Sequence, residues 1–317
     1  MEKPILLLLF NRPIETKILF DRLRLLKPSK IYINQDGPRI NFLKDKILCQ
    51  EVKKLIKDID WQCDIKTKFS EINLGCRTSV SSAISWFFQN EEEGIILEDD
   101  CIPSKTFFLF CNQMLDRYKE SNDIFSISGS NFQKKRIIGN GDYYFSKYAH
   151  CWGWATWKRA WRCYDNKMNF WSNLSKSNQW KNLNPNKYEK RYWSKIFDLV
   201  SSNKINSWAY VWLASIWNEN GKSIIPNKNL IVNIGFNEKA TNTVTSSNIN
   251  IHEIEFEELE NIINHPKNLD VNFEADKFVF ENHFNGKYNF WPWRFFYILK
   301  LLLSDPKTFY LRIKKYL

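Results

Sequence analysis

Glycine and proline are scarce, ten of each in 317 residues, which excludes collagen-like and Pro/Gly-rich low-complexity chains. No CxxC pair with zinc spacing is present. The seven cysteines (Cys49, Cys63, Cys76, Cys101, Cys111, Cys151, Cys163) are scattered and odd in number. Such a set reads as free thiols in a reducing compartment rather than a disulfide framework, each a small core residue. No apolar stretch reaches the ~18 uninterrupted residues of a spanning helix. The N-terminal run Ile5 to Phe10 has six residues and goes straight into Asn11-Arg12-Pro13. A secretory leader needs an apolar core of about 7–15 residues and a small-residue cleavage site, so the run reads as a buried strand. No repeat occurs at solenoid or propeller periods. Acids are outnumbered, 35 against 46 basic residues, for a net charge of +11. That surplus suits nucleic acid, anionic lipid or a phosphorylated small molecule.

What is present is a large apolar fraction. Hydrophobic residues make up 44% and aromatics 16%, enough for a sizeable core and too much for a mainly disordered chain. The first hundred residues alternate strand and helix patterns: a strand over 4–10, a helix over 14–26, a short strand Ile31 to Ile33, a helix over 42–59, a strand over 64–69, a helix over 76–90 and a strand Gly94 to Leu97. This order predicts an α/β fold with a mostly parallel sheet flanked by helices. Ligands of such sheets bind at the carboxyl ends of the strands. Asn11-Arg12, Asp36-Gly37 and Glu98-Asp99-Asp100 all fall at ends of that kind.

The second half predicts a helix over 104–119, a strand over 124–128, helices over 187–203 and 208–218, and a polar loop over 236–250. No linker divides the halves. The expected organisation is a nucleotide-sugar-binding half (1–103), an acceptor-binding half of the same unit (104–270) and a C-terminal amphipathic basic tail (271–317). The tail carries an apolar run from Phe295 to Leu303 broken by Lys300, then Ser304-Asp305-Pro306, which reads as a helix start. From Arg294 onward there are six basic residues and one acid, a net +5. Basic residues beside Trp291, Trp293 and Tyr297 suit a helix lying in a membrane interface.

Glu98-Asp99-Asp100 holds three adjacent carboxylates, which repel one another unless a positive charge sits among them. A hard divalent cation, Mn²⁺ or Mg²⁺, held by one carboxylate and completed by nucleotide phosphates, is a natural occupant. Trp154, Trp157 and Trp161 share helical spacing. Aromatic faces also stack on sugar rings, which makes Trp152, Gly153 and Trp154 candidates for a sugar site, Gly153 by letting backbone approach closely.

The motifs Leu9-Phe10-Asn11-Arg12-Pro13, Asn34-Gln35-Asp36-Gly37-Pro38-Arg39, Asn73-Leu74-Gly75, Ile95 to Asp100 with Pro103 and Phe107-Phe108, His150 to Trp157 with Trp161, and Asn229 to Phe236 occur in this order. Together they resemble GT-A glycosyltransferases, in particular N-acetylglucosaminyltransferase I and related bacterial nucleotide-diphospho-sugar transferases. The resemblance spans roughly residues 4–245 and implies a GT-A fold; the tail has no counterpart in it. It implies that Arg12 contacts the donor's diphosphate or base, Asp36 the uracil edge, Asp99 the ribose and Glu98 the transferred sugar, and that Asp100 binds the metal. It also places Asn11, Arg39, Asn73 and Gly75 in the donor site. Where such sequences usually carry an Asp after the Trp of the segment matching Asn206 to Trp212, this chain has Ala209. In inverting members a carboxylate near there deprotonates the acceptor. Another carboxylate then serves, the protein is weakly active, or the base has been replaced. Asn242 likewise stands where relatives often have His.

The expected function is a metal-dependent inverting transfer from a UDP-sugar to a bacterial surface glycan, free or lipid-linked, by a cytoplasmic protein peripheral to the inner face of the cell membrane. The rivals are a retaining GT-A transferase and a catalytically impaired glycan- or nucleotide-binding protein. A sugar-phosphate nucleotidyltransferase fits less well, since no Gly-rich loop with a basic residue lies near the N-terminus. Nucleic-acid binding is not expected, because no DNA- or RNA-binding motif accompanies the charge.

Overall fold

The computed structural model describes residues 3–235, 257–260 and 263–304. Phe236, the expected loop at 236–250, Asn242 and the helix start at Pro306 lie outside the described residues. The N-terminal elements are β1 (Ile5–Leu9), α1 (Pro13–Arg24), β2 (Lys30–Gln35), α2 (Leu43–Leu55), β3 (Asp64–Phe69), α3 (Cys76–Asn90) and β4 (Glu93–Glu98). Then come β5 (Cys101–Pro103), α4 (Lys105–Arg117), β6 (Ile124–Ser128), β7 (Tyr143–Ser146) and β8 (Trp154–Trp157). Short helices α5 (Lys158–Trp161), α6 (Trp171–Leu174) and α7 (Asn178–Leu183) precede α8 (Lys187–Ser201) and α9 (Trp208–Asn218). The chain closes with β9 (Lys222–Pro226), β10 (Ile231–Asn233), α10 (Phe273–Asn282) and α11 (Trp293–Ser304).

Eight strands form one sheet in the order β3-β2-β1-β4-β8-β6-β9-β7. The pairs among β3, β2, β1 and β4 are parallel, β8 runs against β4 and β6, and β7 runs against β9. β1 is buried along its whole length, as a central parallel strand covered on both faces must be. Its alternate side chains feed two cores. Ile5, Leu7 and Leu9 pack under α1 and α4 with Leu19 and Phe107, while Leu6 and Leu8 meet α3 and α9 with Phe87 and Trp212. The sheet is therefore a mixed, mostly parallel layer between two layers of helices.

The order of strands reverses at β1. The chain steps from β1 outward to β2 and β3, then returns through α3 to place β4 on the other side of β1. A crevice opens at such a switch point beyond the carboxyl ends of the two strands. The segments that begin at Phe10, Asp36 and Asp99 all emerge there.

Two expectations change. Trp154, Trp157 and Trp161 do not share a helical face: residues 154–157 form β8, paired antiparallel with β4 from Ile96↔Trp154 to Glu93↔Trp157. Strand alternation sends Trp154 and Trp157 into opposite cores. The segment from 271 is not all tail. Asn272 caps α10 by accepting from the Ala275 N–H, and Asp276, Val279 and Phe280 are buried against the body.

Candidate active site

The switch-point crevice is the floor of a cavity of about 830 Å³, a size that holds a nucleotide-sized ligand. Its walls come from the ends of β1, β2 and β4, the loop at Asn73–Gly75, the start of α3, the segment before β8, the start of α9 and the end of α10.

The acid triplet stands at the centre. Arg12 donates from Nη1 to Asp99 Oδ1 at 3.0 Å and to Asp100 Oδ2 at 2.5 Å. The Phe10 N–H donates to Asp99 Oδ2 at 3.2 Å. Burial works against the Arg12 guanidinium, but the two facing carboxylates raise its pKa further. Burial first, then Asp100 and Asp99, pushes the Glu98 carboxyl well above its usual range. Asp99 is raised by burial too, against the pull of Arg12. Trp208 stands with Glu98 in the cavity wall. The triplet is thus a place that demands positive charge, and Arg12 supplies it.

Asp36 sits at the end of β2. Its Oδ1 accepts from the N–H groups of Gly37 and Leu74, both at 2.9 Å, and its Oδ2 from Asn73 Nδ2 at 3.0 Å and the Gly75 N–H at 3.2 Å. A carboxylate offers about four lone-pair sites, and four donors take them. Asp36 therefore braces the Asn73–Gly75 loop against β2. Burial raises its pKa despite those N–H donors.

Asn11 and Arg39 meet on Asp45, a buried residue of α2 that the sequence did not single out. Arg39 binds it with two nitrogens, Nε at 2.6 Å and Nη2 at 3.0 Å, and Asn11 Nδ2 donates at 2.8 Å. The Arg39 hydrogen bond holds the Asp45 carboxyl below its usual range. Arg39 lines the cavity and Asn11 does not; the two share Asp45 as a partner.

Of the sequence-expected residues, Arg12, Asp36, Arg39, Asn73, Gly75, Glu98, Asp99, Asp100, Trp152 and Ala209 line this one cavity. Asn11, Gly153 and Trp154 do not. Gly153 has φ +60°, and a Cβ there would fall 2.4 Å from Ile231 Cδ1, so its close approach is to a core side chain. Trp154 is fully buried among Trp161, Trp208 and Trp212. Phe132, Trp193, Tyr210, His283 and Phe284 also line the cavity without having been singled out. The last two follow α10, whose start is marked in the sequence by the Asn272 cap with Glu274 and Asp276 in the first turn; nothing local marks their place in the cavity.

Among the described residues, no three His, Cys, Asp or Glu side chains are arranged to share a metal ion. Asp100 offers a single carboxylate, with Oδ2 on Arg12 and Oδ1 3.5 Å from Asn233 Nδ2. The donor set fits a hard cation that takes one carboxylate here and its other oxygens from phosphates and water. It does not fit a cation caged by protein alone.

No described protein family and no curated protein matches the sequence. Among solved structures, a mannosyltransferase from Pyrobaculum calidifontis, in complex with GDP-Man and Mn²⁺, aligns at 9% identity over 49% of this chain, with a TM-score of 0.32. The alignment covers 44% of the mannosyltransferase, so this chain spans less than half of its length. HddC from Yersinia pseudotuberculosis aligns at 12% identity over 50% of this chain and 77% of its own, TM-score 0.30. A UDP-glucose pyrophosphorylase complexed with UDP-glucose aligns at 11% identity over 71% of this chain and 90% of its own, TM-score 0.37. At these scores none of the three bears on what this chain does.

Proposed function

We propose that the protein is a divalent-cation-dependent, inverting glycosyltransferase that moves a sugar from a UDP-sugar to a hydroxyl of a surface glycan. The observation that carries this reading is the meeting of Arg12, the Asp36-braced loop and Glu98-Asp99-Asp100 in one cavity at the sheet's switch point. The ordered motifs that resemble GT-A glycosyltransferases support it.

The diphosphate enters where Arg12 now bridges Asp99 and Asp100, and the guanidinium offsets charge growing on the leaving group. Asp99, anchored by the Phe10 N–H, faces the ribose. Glu98 faces the transferred sugar. Asp100 would hold the cation, which supplies Lewis-acid neutralisation of the diphosphate when bound. The acceptor hydroxyl oxygen attacks the anomeric carbon in line, the carbon–diphosphate bond breaks with its electron pair on the diphosphate, and the hydroxyl proton passes to water, since residue 209 offers no base.

Calorimetric titration of UDP with and without MnCl₂ tests the reading. Tight binding that needs Mn²⁺ and is lost in Asp100→Ala is expected. UDP affinity that ignores both the metal and Asp100→Ala counts against the site.

One observation favours a second reading, a nucleotide- or glycan-binding protein without turnover. No carboxylate among the described cavity-lining residues comes from α9 or α10, and residue 209 is Ala. Mn²⁺-dependent release of UDP from a UDP-sugar would reject it.

The same proposal places the protein at the inner face of the cell membrane. No helix among the described residues is long and apolar enough to cross a bilayer. Yet α11 and the residues before it expose Trp291, Phe295, Phe296 and Leu303, each more than half accessible, with Arg294 and Lys300 interleaved. Such a helix suits the boundary of an anionic bilayer, where a lipid-linked acceptor is presented.

A further inference from the structure

Asp100 and Arg12 are held in unequal ways. Asp100 is pinned through its backbone. Its carbonyl accepts from the Ile234 N–H at 2.8 Å, beside the antiparallel pairing of β5 with β10 that sets Cys101 opposite Asn233. The Asp99 N–H ties the preceding residue to the Leu8 carbonyl of β1 at 3.1 Å. The Asp100 carboxylate is enclosed as well. Its Oδ1 faces Asn233 Nδ2 and Cys101 Sγ, each at 3.5 Å. Its Oδ2 lies against Gly235, where a Cβ would come within 2.0 Å of it. On the side of the cavity, Oδ2 meets Arg12 Nη1 at 2.5 Å.

Arg12 is fixed at its backbone, where its carbonyl accepts from the Thr16 N–H and opens α1. Its long side chain reaches across to the acids and is more accessible than either of them. In this pair the arginine can move and the acid cannot. A hard cation takes a carboxylate oxygen at about 2.1 Å. With Arg12 still on the same oxygen, the two positive groups would stand within about 5 Å of each other, a doubly charged ion beside a singly charged one in a buried place.

We infer that Arg12 and a divalent cation exclude one another on Asp100, and that the nucleotide diphosphate draws the guanidinium off Asp100 Oδ2 and so opens that oxygen to the cation. The inference rests on the nucleotide-sugar reading above and makes Arg12 the side chain that couples the two ligands. A cation alone leaves Arg12 with one carboxylate fewer. A diphosphate alone meets three carboxylates of its own sign, which is costly where they are buried. Together, each supplies the charge that the other displaces. Nucleotide and cation then bind as a cooperative pair, each raising the affinity for the other by the same factor. Asn233 and Gly235 keep Asp100 from following the arginine when it leaves.

The test reads Mn²⁺ binding to the full chain by electron paramagnetic resonance, with and without UDP, and needs no turnover. The parent should bind Mn²⁺ at least about ten-fold tighter with UDP than without it. Without nucleotide, Arg12→Gln, which removes the charge, should bind Mn²⁺ at least about ten-fold tighter than the parent, and UDP should then add little. Adding Asp100→Ala to Arg12→Gln should erase that gain, which ties it to this carboxylate. Mn²⁺ alone should raise the melting temperature of Arg12→Gln and leave the parent's nearly unchanged. Arg12→Lys serves if Arg12→Gln does not fold: its strongly hydrated ammonium grips two carboxylates less firmly than a guanidinium, so it too should bind Mn²⁺ tighter than the parent without nucleotide. A nucleotide-free Mn²⁺ affinity that is unchanged or weaker in the folded variants overturns the inference. So does a parent that binds Mn²⁺ equally well with and without UDP. A parent that binds no Mn²⁺ even with UDP sinks the metal-dependent reading itself, a distinct result.

Discussion

A methyl group at position 209 cannot take a proton. General-base catalysis is typically worth about 10²–10⁴-fold, so Ala209→Asp should raise turnover at least about ten-fold, seen in kcat rather than in donor KM. Steady-state assays at saturating donor decide it; equal rates in both forms would place the base elsewhere. Asp36 makes a different kind of prediction, because its carboxylate gathers four donors from two segments. Asp36→Ala should cost about 2–4 kcal/mol in urea denaturation, the scale of several buried donors left unpaired, and should weaken UDP by loosening the loop. Undiminished stability would mean that the loop holds without it. Asp276 offers a pH test. Burial raises its pKa from 3.8 to about 7. A carboxyl raised in the fold contributes stability that is full below its unfolded pKa and is lost as pH rises through about 7. The melting temperature should therefore fall between pH 4 and pH 8, and Asp276→Asn should flatten that fall; an unchanged slope would put the loss on other groups.

Elements differed in how far their residues announced them. α3 appears over Cys76–Asn90, as its apolar spacing predicts, and α9 over Trp208–Asn218, because both pack a periodic face and need nothing distant. β8 misled because Trp at three- and four-residue intervals mimics a helical stripe, while its strand state is set by pairing to β4, about sixty residues away. β5, β7, β9 and β10 are short strands whose partners lie far along the chain, so local pattern does not mark them. The candidate site divides the same way. Arg12, Asp36 and the acid triplet were legible because strand ends in an α/β order converge. Asp45, Phe132 and His283 were not, since only the folded sheet brings them near. α11 carries its own prediction. Phe296→Ser combined with Leu299→Ser and Leu303→Ser should lower partition onto phosphatidylserine vesicles at least about ten-fold, given ~1.5–3 kcal/mol for each fully buried side chain. Melting should not change, because those residues are solvent-exposed. Unaltered vesicle binding, or a dimer in gel filtration that the substitutions dissolve, would assign the helix to another partner.

At the scale of the whole molecule, stability comes from two aromatic-rich cores on either face of one sheet rather than from covalent links. All seven cysteines are free, and burial raises the pKa of each one that is fully buried, among them Cys101 and Cys111. Thermal unfolding should therefore be the same with and without dithiothreitol; a melting point that drops on reduction would reveal a bridge. The cavity has a further consequence for synthesis. Its floor is made from residues near the start of the chain, yet one wall is Phe284. A ribosome-bound chain can lay down β1, β4 and most of the sheet and still hold an unfinished pocket, with Trp193 uncovered on the side where Phe284 packs at 4.9 Å. Ligand competence would then arrive late and all at once, so a prematurely terminated product would keep the acid triplet but lack a closed place for a ligand to settle.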